Sequence, residues 1–369
     1  MSGVLAAIVF CVAIPFVIMA MLAPSLKASA PKTRNFRGVL VYNGLGIVWF
    51  VWLISFWVGA HLLATLHIDQ PAWIRYLVPL FPVLAGSCAF GLFDDWAGSN
   101  LTRGFGGHLK ALMRGRLTTG GLKFLGIGFL SLFLAISLYY TGAASIPRVL
   151  LVTCAIALTA NLMNLFDLRP GRAQKIYLLG LALALCLIAA FGVVQLKGFD
   201  LVALALVGLG PLLAVWRFDL GEQGMIGDAG ANSMGAFLGF LYATALPEWA
   251  LAFVVLVLVA VNLLSERVSF SKIIEGNRVL ARLDAWGRKK DALHALDAEA
   301  AVFAAEDSRA ERGNDNRTAG NSNEAAGNDD KETAEDGKKV AEDDNNSSKG
   351  DSETNGNTRG DGVETEVGE

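Results

Sequence analysis

The sequence predicts an all-α polytopic membrane protein followed by a disordered acidic tail. Hydrophobic residues make up 53% of the 369 residues, and the mean hydropathy of +0.46 is too high for a soluble domain that also carries a long polar tail. The apolar weight lies before residue 265, in about nine runs long enough to span a bilayer, a crossing that takes about 20 apolar residues. From about Ala295 onward the chain is rich in Ala, Glu, Asp, Asn, Gly and Ser. It has no aromatic residue after Phe303, so it cannot bury enough apolar surface to fold alone. Three parts follow: a transmembrane part over 1–265, a basic segment over 266–294, and the tail over 295–369. The net charge of −3 averages a basic membrane part and an acidic tail and says little by itself. Nothing marks a nucleic-acid partner.

The first run, Val4 to Leu22, has no basic stretch before it and no small-residue cleavage site after it, so it is read as a retained helix. Lys27, Lys32, Arg34 and Arg37 follow. The positive-inside rule puts that loop in the cytoplasm and the N-terminus outside. A second helix over about Val39–Leu66 starts near the small residues Asn43, Gly44 and Gly46, which suit close approach to a ligand or another helix. A third, from Ala72, ends at Asp94-Asp95. The next loop holds Arg103, His108, Lys110, Arg114 and Arg116, with Lys123 at the start of the fourth helix, Leu122–Tyr140. The fifth, about Arg148–Leu165, ends in Asn161, Asn164 and Asp167, and Arg169, Arg172 and Lys175 come after it. Ile176–Leu196 and Leu201–Trp216 are the sixth and seventh. The eighth, about Ala231–Leu246, follows Gly227-Asp228-Ala229-Gly230, and Trp249–Leu264 is the ninth. Beyond it, Ile273, Ile274, Leu280, Leu283 and Trp286 approximate a helical stripe in a basic segment. It is read either as a helix on the membrane surface or as an ordinary solvated helix. Cys11, Cys88, Cys154 and Cys186 lie inside apolar runs and read as small core residues.

This topology puts Asp94, Asp95, Asp167 and Asp228 on one face, at the cytoplasmic ends of helices. A charge deep in hydrocarbon costs ~3 kcal/mol on insertion scales, and a helix end avoids that cost. The orientation rests on Lys and Arg alone, so the gathering of the acids is a separate observation. Carboxylates beside Lys, Arg and glycine-rich turns suit a metal-bridged diphosphate. The plainer reading is that loops of membrane proteins are where charged residues go.

The motifs, taken in order, resemble those of the polyprenyl-phosphate N-acetylhexosamine-1-phosphate transferases, glycosyltransferase family 4, which include the phospho-N-acetylmuramoyl-pentapeptide transferases. The similarity runs from about Asn35 to about Gly287. Asn35-Phe36-Arg37-Gly38 with Asn43-Gly44-Leu45-Gly46 looks like the family's first cytoplasmic loop. Phe93-Asp94-Asp95 looks like its paired-aspartate motif, Asn161-Leu162-Met163-Asn164-Leu165-Phe166-Asp167 like its asparagine–aspartate motif, and Met225-Ile226-Gly227-Asp228-Ala229-Gly230 like its metal-binding loop. The resemblance implies a Mg²⁺-dependent enzyme of the plasma membrane with its active site facing the cytoplasm. A polyprenyl phosphate, undecaprenyl phosphate in bacteria, attacks the β-phosphorus of a UDP-amino sugar. The products are a lipid diphosphate sugar for cell-wall polymers such as peptidoglycan, and UMP. By carry-over Asp228 ligates Mg²⁺ and Asp94 assists the lipid phosphate with Asp95 beside it. Asn43, Lys110, Lys123, Asn161, Asn164 and Asp167 bind substrates. Relatives of this kind often pair in the membrane, so a homodimer is among the implied partners.

The chain departs from the family at two places. Leu168 follows Asp167 where the family has glycine, and Pro170 takes the place of a second aspartate, with Arg169 and Arg172 nearby. The family's histidine motif in the last cytoplasmic loop is missing, since His61, His67, His108 and His294 form no such cluster. The metal and lipid-phosphate half of the site thus looks intact and the sugar-nucleotide half altered. Three functions compete: an active transferase with an unusual donor pocket, a non-catalytic relative that binds lipid phosphate or scaffolds an envelope complex, and a transporter. A transporter would place ionisable groups near mid-bilayer on broken helices.

Overall fold

The computed structural model describes residues 2–98, 104–142, 145–191, 196 and 198–288. The chain divides into a unit Met1–Ala301 and a second, Val302–Glu369, and the whole of the second lies outside the described residues. So do the predicted tail, Arg103, Lys197 and His294.

The protein is an all-α polytopic membrane protein. Among the described residues eight helices are long and apolar enough to cross a membrane: α1 (Gly3–Ser29), α2 (Leu45–Thr65, opening with a 3₁₀ turn), α3 (Ala72–Ala97), α5 (Thr119–Tyr140), α6 (Ile146–Phe166), α7 (Arg172–Phe191), α8 (Phe199–Leu220) and α10 (Glu248–Ser265). A short helix α4 (Gly104–Met113) precedes α5. Helices α11 (Phe270–Gly276) and α12 (Arg278–Ala285) end the described chain. Within α1, Ala7–Ala13 is π-helical, and the Phe10 carbonyl there accepts the Ser55 hydroxyl of α2. An off-pattern carbonyl inside hydrocarbon needs such a partner.

The eighth expected span, α9 (Gly227–Ala245), is a helix of 19 residues but is not one of these spans. Gly, Ser and Asn hold its hydropathy down because it meets other helices. Every residue in it is buried except Asp228, Tyr242 and Thr244. It packs chiefly on α6, then on α3 and α7. Gly235 makes the closest approach possible: a Cβ there would lie 2.4 Å from Ala160 Cα and from the Thr159 carbonyl oxygen. Gly239, one turn on, meets Ala155 and Ile156 in the same way. Small residues four apart let two backbones close on each other where lipid gives no hydrophobic drive for association. An aromatic cluster of Trp49, Trp52, Tyr177 and Phe237 fills the space between α2, α7 and α9.

The two ends of α9 are tied by charge. At its C-terminus the Arg148 guanidinium donates to the carbonyls of Ala243 (2.7 Å) and Leu246 (2.8 Å). At its N-terminus lies the Asp95 carboxylate. Both signs suit the helix dipole.

The sequence suggested no strand, yet a three-stranded sheet stands at the loop-rich end. β1 (Lys32–Arg34) pairs antiparallel with β2 (Leu40–Asn43), and β2 pairs parallel with β3 (Gly224–Met225), with Asn43 opposite Met225. The expected second helix therefore starts at Leu45 and not at Val39, because its first residues are taken up as a strand. Buried Glu222 accepts Asn35 Nδ2 (3.2 Å) and pairs with Arg37 (3.4 Å), which fixes the first loop to the turn before β3.

Gly235→Ala is expected to lower the thermal stability of the detergent-solubilised protein by the equivalent of about 1–3 kcal/mol, the usual cost of overpacking. Gly128→Ala, with nothing within 4 Å of the new Cβ, is the control expected to be neutral. Equal melting temperatures for the two variants would contradict the packing argument.

Candidate functional site

Asp94 and Asp95 sit in the last turn of α3 and, as neighbours on a helix, point to different partners. Asp95 turns to the N-terminus of α9. One carboxylate oxygen accepts the Asp228 N–H (2.9 Å) and Asn43 Nδ2 (3.1 Å), and the other accepts the Ala229 N–H (3.1 Å). These backbone donors are among those that a helix start leaves unpaired. Gly227 makes the cap possible. Its φ is +61°, and a Cβ there would lie 2.4 Å from Asn43 Oδ1 and 2.6 Å from Asp95 Oδ2.

Asp94 turns to α5. Lys123 Nζ donates to Asp94 Oδ2 (2.9 Å) and also to Asp228 Oδ2, so one ammonium bridges carboxylates from α3 and α9. Lys123 is buried. Residues far apart in the chain, 94, 123 and 228, thus meet at one nitrogen.

A cavity of about 330 Å³ opens beside this cluster. Asp94, Lys123, His108, Asn161, Asn164, Asn232 and Glu266 supply its polar lining. Lys110 lies exposed on α4 and is not one of the lining residues. Asn43 stands outside the cavity, behind Asp95. Asn161 donates to Asn262 Oδ1 (2.7 Å), which ties α6 to α10, and Asn164 lies one turn along α6. Asp167 ends α6, and its carboxyl is pushed well above the usual carboxylate range. Burial is the main cause, the charges of Asp219, Asp228 and Asp95 add to it, and the Gly227 N–H opposes it.

Three polar lining residues, His108, Asn232 and Glu266, were given no role by the sequence. His108 Nδ1 lies 2.7 Å from Thr118 Oγ1, at the N-cap of α5. Asn232 is 1% exposed and its Nδ2 has no hydrogen-bond partner. An unpaired buried amide costs about 1–3 kcal/mol. The one sequence signal for Asn232 is its spacing: four residues after Asp228, it falls on the same helix face.

Among the described residues no group of three His, Cys, Asp or Glu side chains is placed to hold a metal. Two carboxylates on one cationic point do suit Mg²⁺, which takes one or two protein carboxylates and completes its shell with water and phosphate oxygens. Asp94 and Asp228 therefore fit that ion, and Asp95 is already committed to α9.

The departures in the third motif also have a structural basis. Arg169 pairs with Glu275. Arg172, 3% exposed, forms a two-pronged contact with Asp284 (2.8 and 3.0 Å) and donates to Ser271 (2.7 Å). The Pro170 carbonyl accepts Arg288 Nε (2.9 Å), and Phe270 stacks on Phe166. The α6–α7 turn thus holds α11 and α12 down, and its positive charge is balanced there. The apolar stripe of those helices stays exposed, with Leu283 and Trp286 outward. Burial opposes ionisation of Asp284, but hydrogen bonds from Arg172 and Arg288, and their charges, outweigh it and hold the carboxyl below the usual range.

Asp95→Ala is expected to cost about 2 kcal/mol or more, because it strips the α9 cap and leaves two buried N–H groups unpaired. Asp95→Asn keeps an acceptor and should lose less, and thermal unfolding in detergent ranks the two. A depressed folded-state pKa at Asp284 means stability present above about pH 4 and lost as pH falls through the lower folded value. On acidification from about pH 6 to about pH 3, the wild type should therefore lose its thermal advantage over Asp284→Asn. A gap independent of pH would contradict the ion pair.

Scanned against models of known protein families the chain matches none, and a search of curated proteins finds no match either.

Proposed function

We propose that this protein transfers an N-acetylhexosamine phosphate, or a related sugar phosphate, from a UDP-sugar to a polyprenyl phosphate, giving a polyprenyl-diphospho-sugar and UMP for cell-envelope glycopolymers. The observation that carries the reading is the meeting of Asp94, Lys123 and Asp228 beside a cavity at one end of the bundle. The basic loops, with Lys27, Lys32, Arg34, Arg37, Arg114 and Arg116, belong to the same end of the chain's crossings. The positive-inside rule then orients that end to the cytoplasm, and the family resemblance implies the plasma membrane. The motif resemblance to glycosyltransferase family 4 supports the same chemistry.

In this reading a phosphate oxygen of the lipid bonds to the β-phosphorus of the nucleotide sugar, and the bond from that phosphorus to the bridging oxygen breaks, releasing UMP. The lipid phosphate is already largely ionised, with a second pKa near 6. The work of the site is therefore alignment and charge neutralisation. Lys123 supplies a fixed positive charge, and Asp94, held ionised beside it, assists in positioning the lipid phosphate. Asp95 and Gly227 keep Asp228 on Lys123 by fixing the start of α9. Asp94 and Asp228 would hold Mg²⁺, which would offset charge on the diphosphate. Asn164 and Asp167 border the sugar-nucleotide side.

One observation favours a second reading, a relative that binds lipid phosphate without turnover. Arg169 and Arg172, on the side where a donor diphosphate would sit, are spent on Glu275 and Asp284.

Purified protein with undecaprenyl phosphate, Mg²⁺ and a panel of UDP-amino sugars separates the two. The transferase reading expects UMP from one donor, lowered at least ~100-fold by Asp94→Asn and by Asp228→Asn, a loss typical of removing a charge-stabilising group. No UMP from any donor, with the lipid bound, would establish the second reading.

A further inference from the structure

Helix α12 carries an apolar row that the bundle does not cover. Val279, Leu280 and Leu283 recur at helical spacing and Trp286 follows just past the helix end, so the four share a face. All four are exposed, Trp286 at 71%. Arg278 and Arg282, also four apart and exposed, form a second row along one edge of that face. Asp284, which Arg172 holds, leaves the helix about 200° round from Arg282, at 3.6 residues per turn. One side of α12 is thus fastened to the bundle, the basic row lies on the opposite side, and the apolar row lies between them.

The charges of the segment are sorted in the same way. Of the three acids in residues 266–288, Glu275 and Asp284 pair with Arg169 and Arg172 of the α6–α7 turn, and Glu266 lines the cavity. Arg267, Lys272, Arg278 and Arg282 are exposed, and among the described residues none of the four enters an ion pair. The surface turned away from the bundle is therefore apolar and positive.

The place of the fastening decides what lies beside that surface. Arg172 opens the membrane-spanning α7, and Lys175 Nζ, in its first turn, donates to the carbonyls of Leu283 (3.2 Å) and Asp284 (2.6 Å). On the same face of α7, Leu179 and Leu183 follow Lys175 at intervals of four, and both are exposed. An exposed leucine row on a spanning helix meets lipid. Leu179 is only about 6 Å along the axis from Lys175, at 1.5 Å per residue. α12 is thus held within about one helical turn of the level at which the bundle surface turns to lipid. That level is the headgroup layer, where basic amphipathic helices lie and where Trp is enriched.

We infer that α12 docks on the anionic headgroup layer of the bilayer that holds the protein: Val279, Leu283 and Trp286 enter the boundary between headgroups and acyl chains, and Arg278 and Arg282 contact lipid phosphates. Four apolar side chains are too few for a stable protein interface, which takes about 20–30 residues a side. A bilayer needs no matching surface and is already in place beside α7. The inference is independent of the transferase reading.

The test is amide hydrogen exchange of the full chain in nanodiscs that hold one copy each, made of phosphatidylcholine alone or of phosphatidylcholine with phosphatidylglycerol. Exchange over residues 278–286 is expected to be at least ~10-fold slower in the anionic discs, since each Lys or Arg at such a surface strengthens binding about fivefold. Arg278→Gln combined with Arg282→Gln should cancel that gain and leave exchange in phosphatidylcholine discs at the wild-type value. Added salt should shrink the gain in the wild type. Leu283→Gln should speed exchange in both kinds of disc without lowering the melting temperature in detergent, because the side chain lies outside the core. Equal exchange of the wild type in the two kinds of disc overturns the inference. So does a gain that survives in the double arginine variant. Protection that appears only with two copies per disc overturns it too, because the apolar row then meets a second chain. A lowered melting temperature for Leu283→Gln, the mark of a side chain packed on the bundle, does the same. None of these outcomes bears on UMP release.

Discussion

The Asp95 carboxylate at the start of α9 is the contact on which the rest of the arrangement depends. It joins three parts of the chain: the end of α3, Asn43 at the end of β2, and the first backbone N–H groups of α9. Without it, a helix buried on nearly every side would begin with unpaired donors in a part-buried site. Capping by a carboxylate meets that need and also sets the rotation of α9 about its axis. That rotation decides that Asp228 faces Lys123 and that Asn232 faces the cavity.

A helix so enclosed has to be made of small residues. The same glycines that let α9 lie against α6 lower its hydropathy, so the most buried helix is also the one that reads least like a membrane span. The pattern follows from the solvent. Lipid-facing helices need apolar side chains throughout, whereas a helix surrounded by protein needs shape complementarity and satisfied polar groups. Arg148 at the far end of α9 completes the arrangement, and the polar side chains Ser233 and Tyr242 are satisfied by backbone carbonyls.

Two neighbouring aspartates therefore have different work. Asp94 and Asp228 share the Lys123 ammonium beside the cavity. Asp95 is a positioning residue held by three donors. The turn between α6 and α7 is read in the same way: Arg169, Pro170 and Arg172 form the seat of α11 and α12, so the positive charge there is balanced within the fold.

The membrane class, most helix positions and the gathering of Asp94, Asp95, Asp167 and Asp228 at one end could be read from the sequence. Helical period, run length and the distribution of Lys and Arg are local properties, and crossing parity converts them into sidedness. Gly227-Asp228 also announced itself, because a glycine before an acid at a helix start is a local signal. The sequence did not reveal the sheet that joins residues 32–34, 40–43 and 224–225, whose strands are too short to show a period of two. Nor did it separate the roles of Asp94 and Asp95, leave Lys110 out of the cavity, or single out His108 and Asn232. Those outcomes depend on which face of each helix meets which neighbour, and that is fixed by packing between segments from tens to more than a hundred residues apart, where backbone closeness and satisfied hydrogen bonds decide and sequence spacing carries no signal.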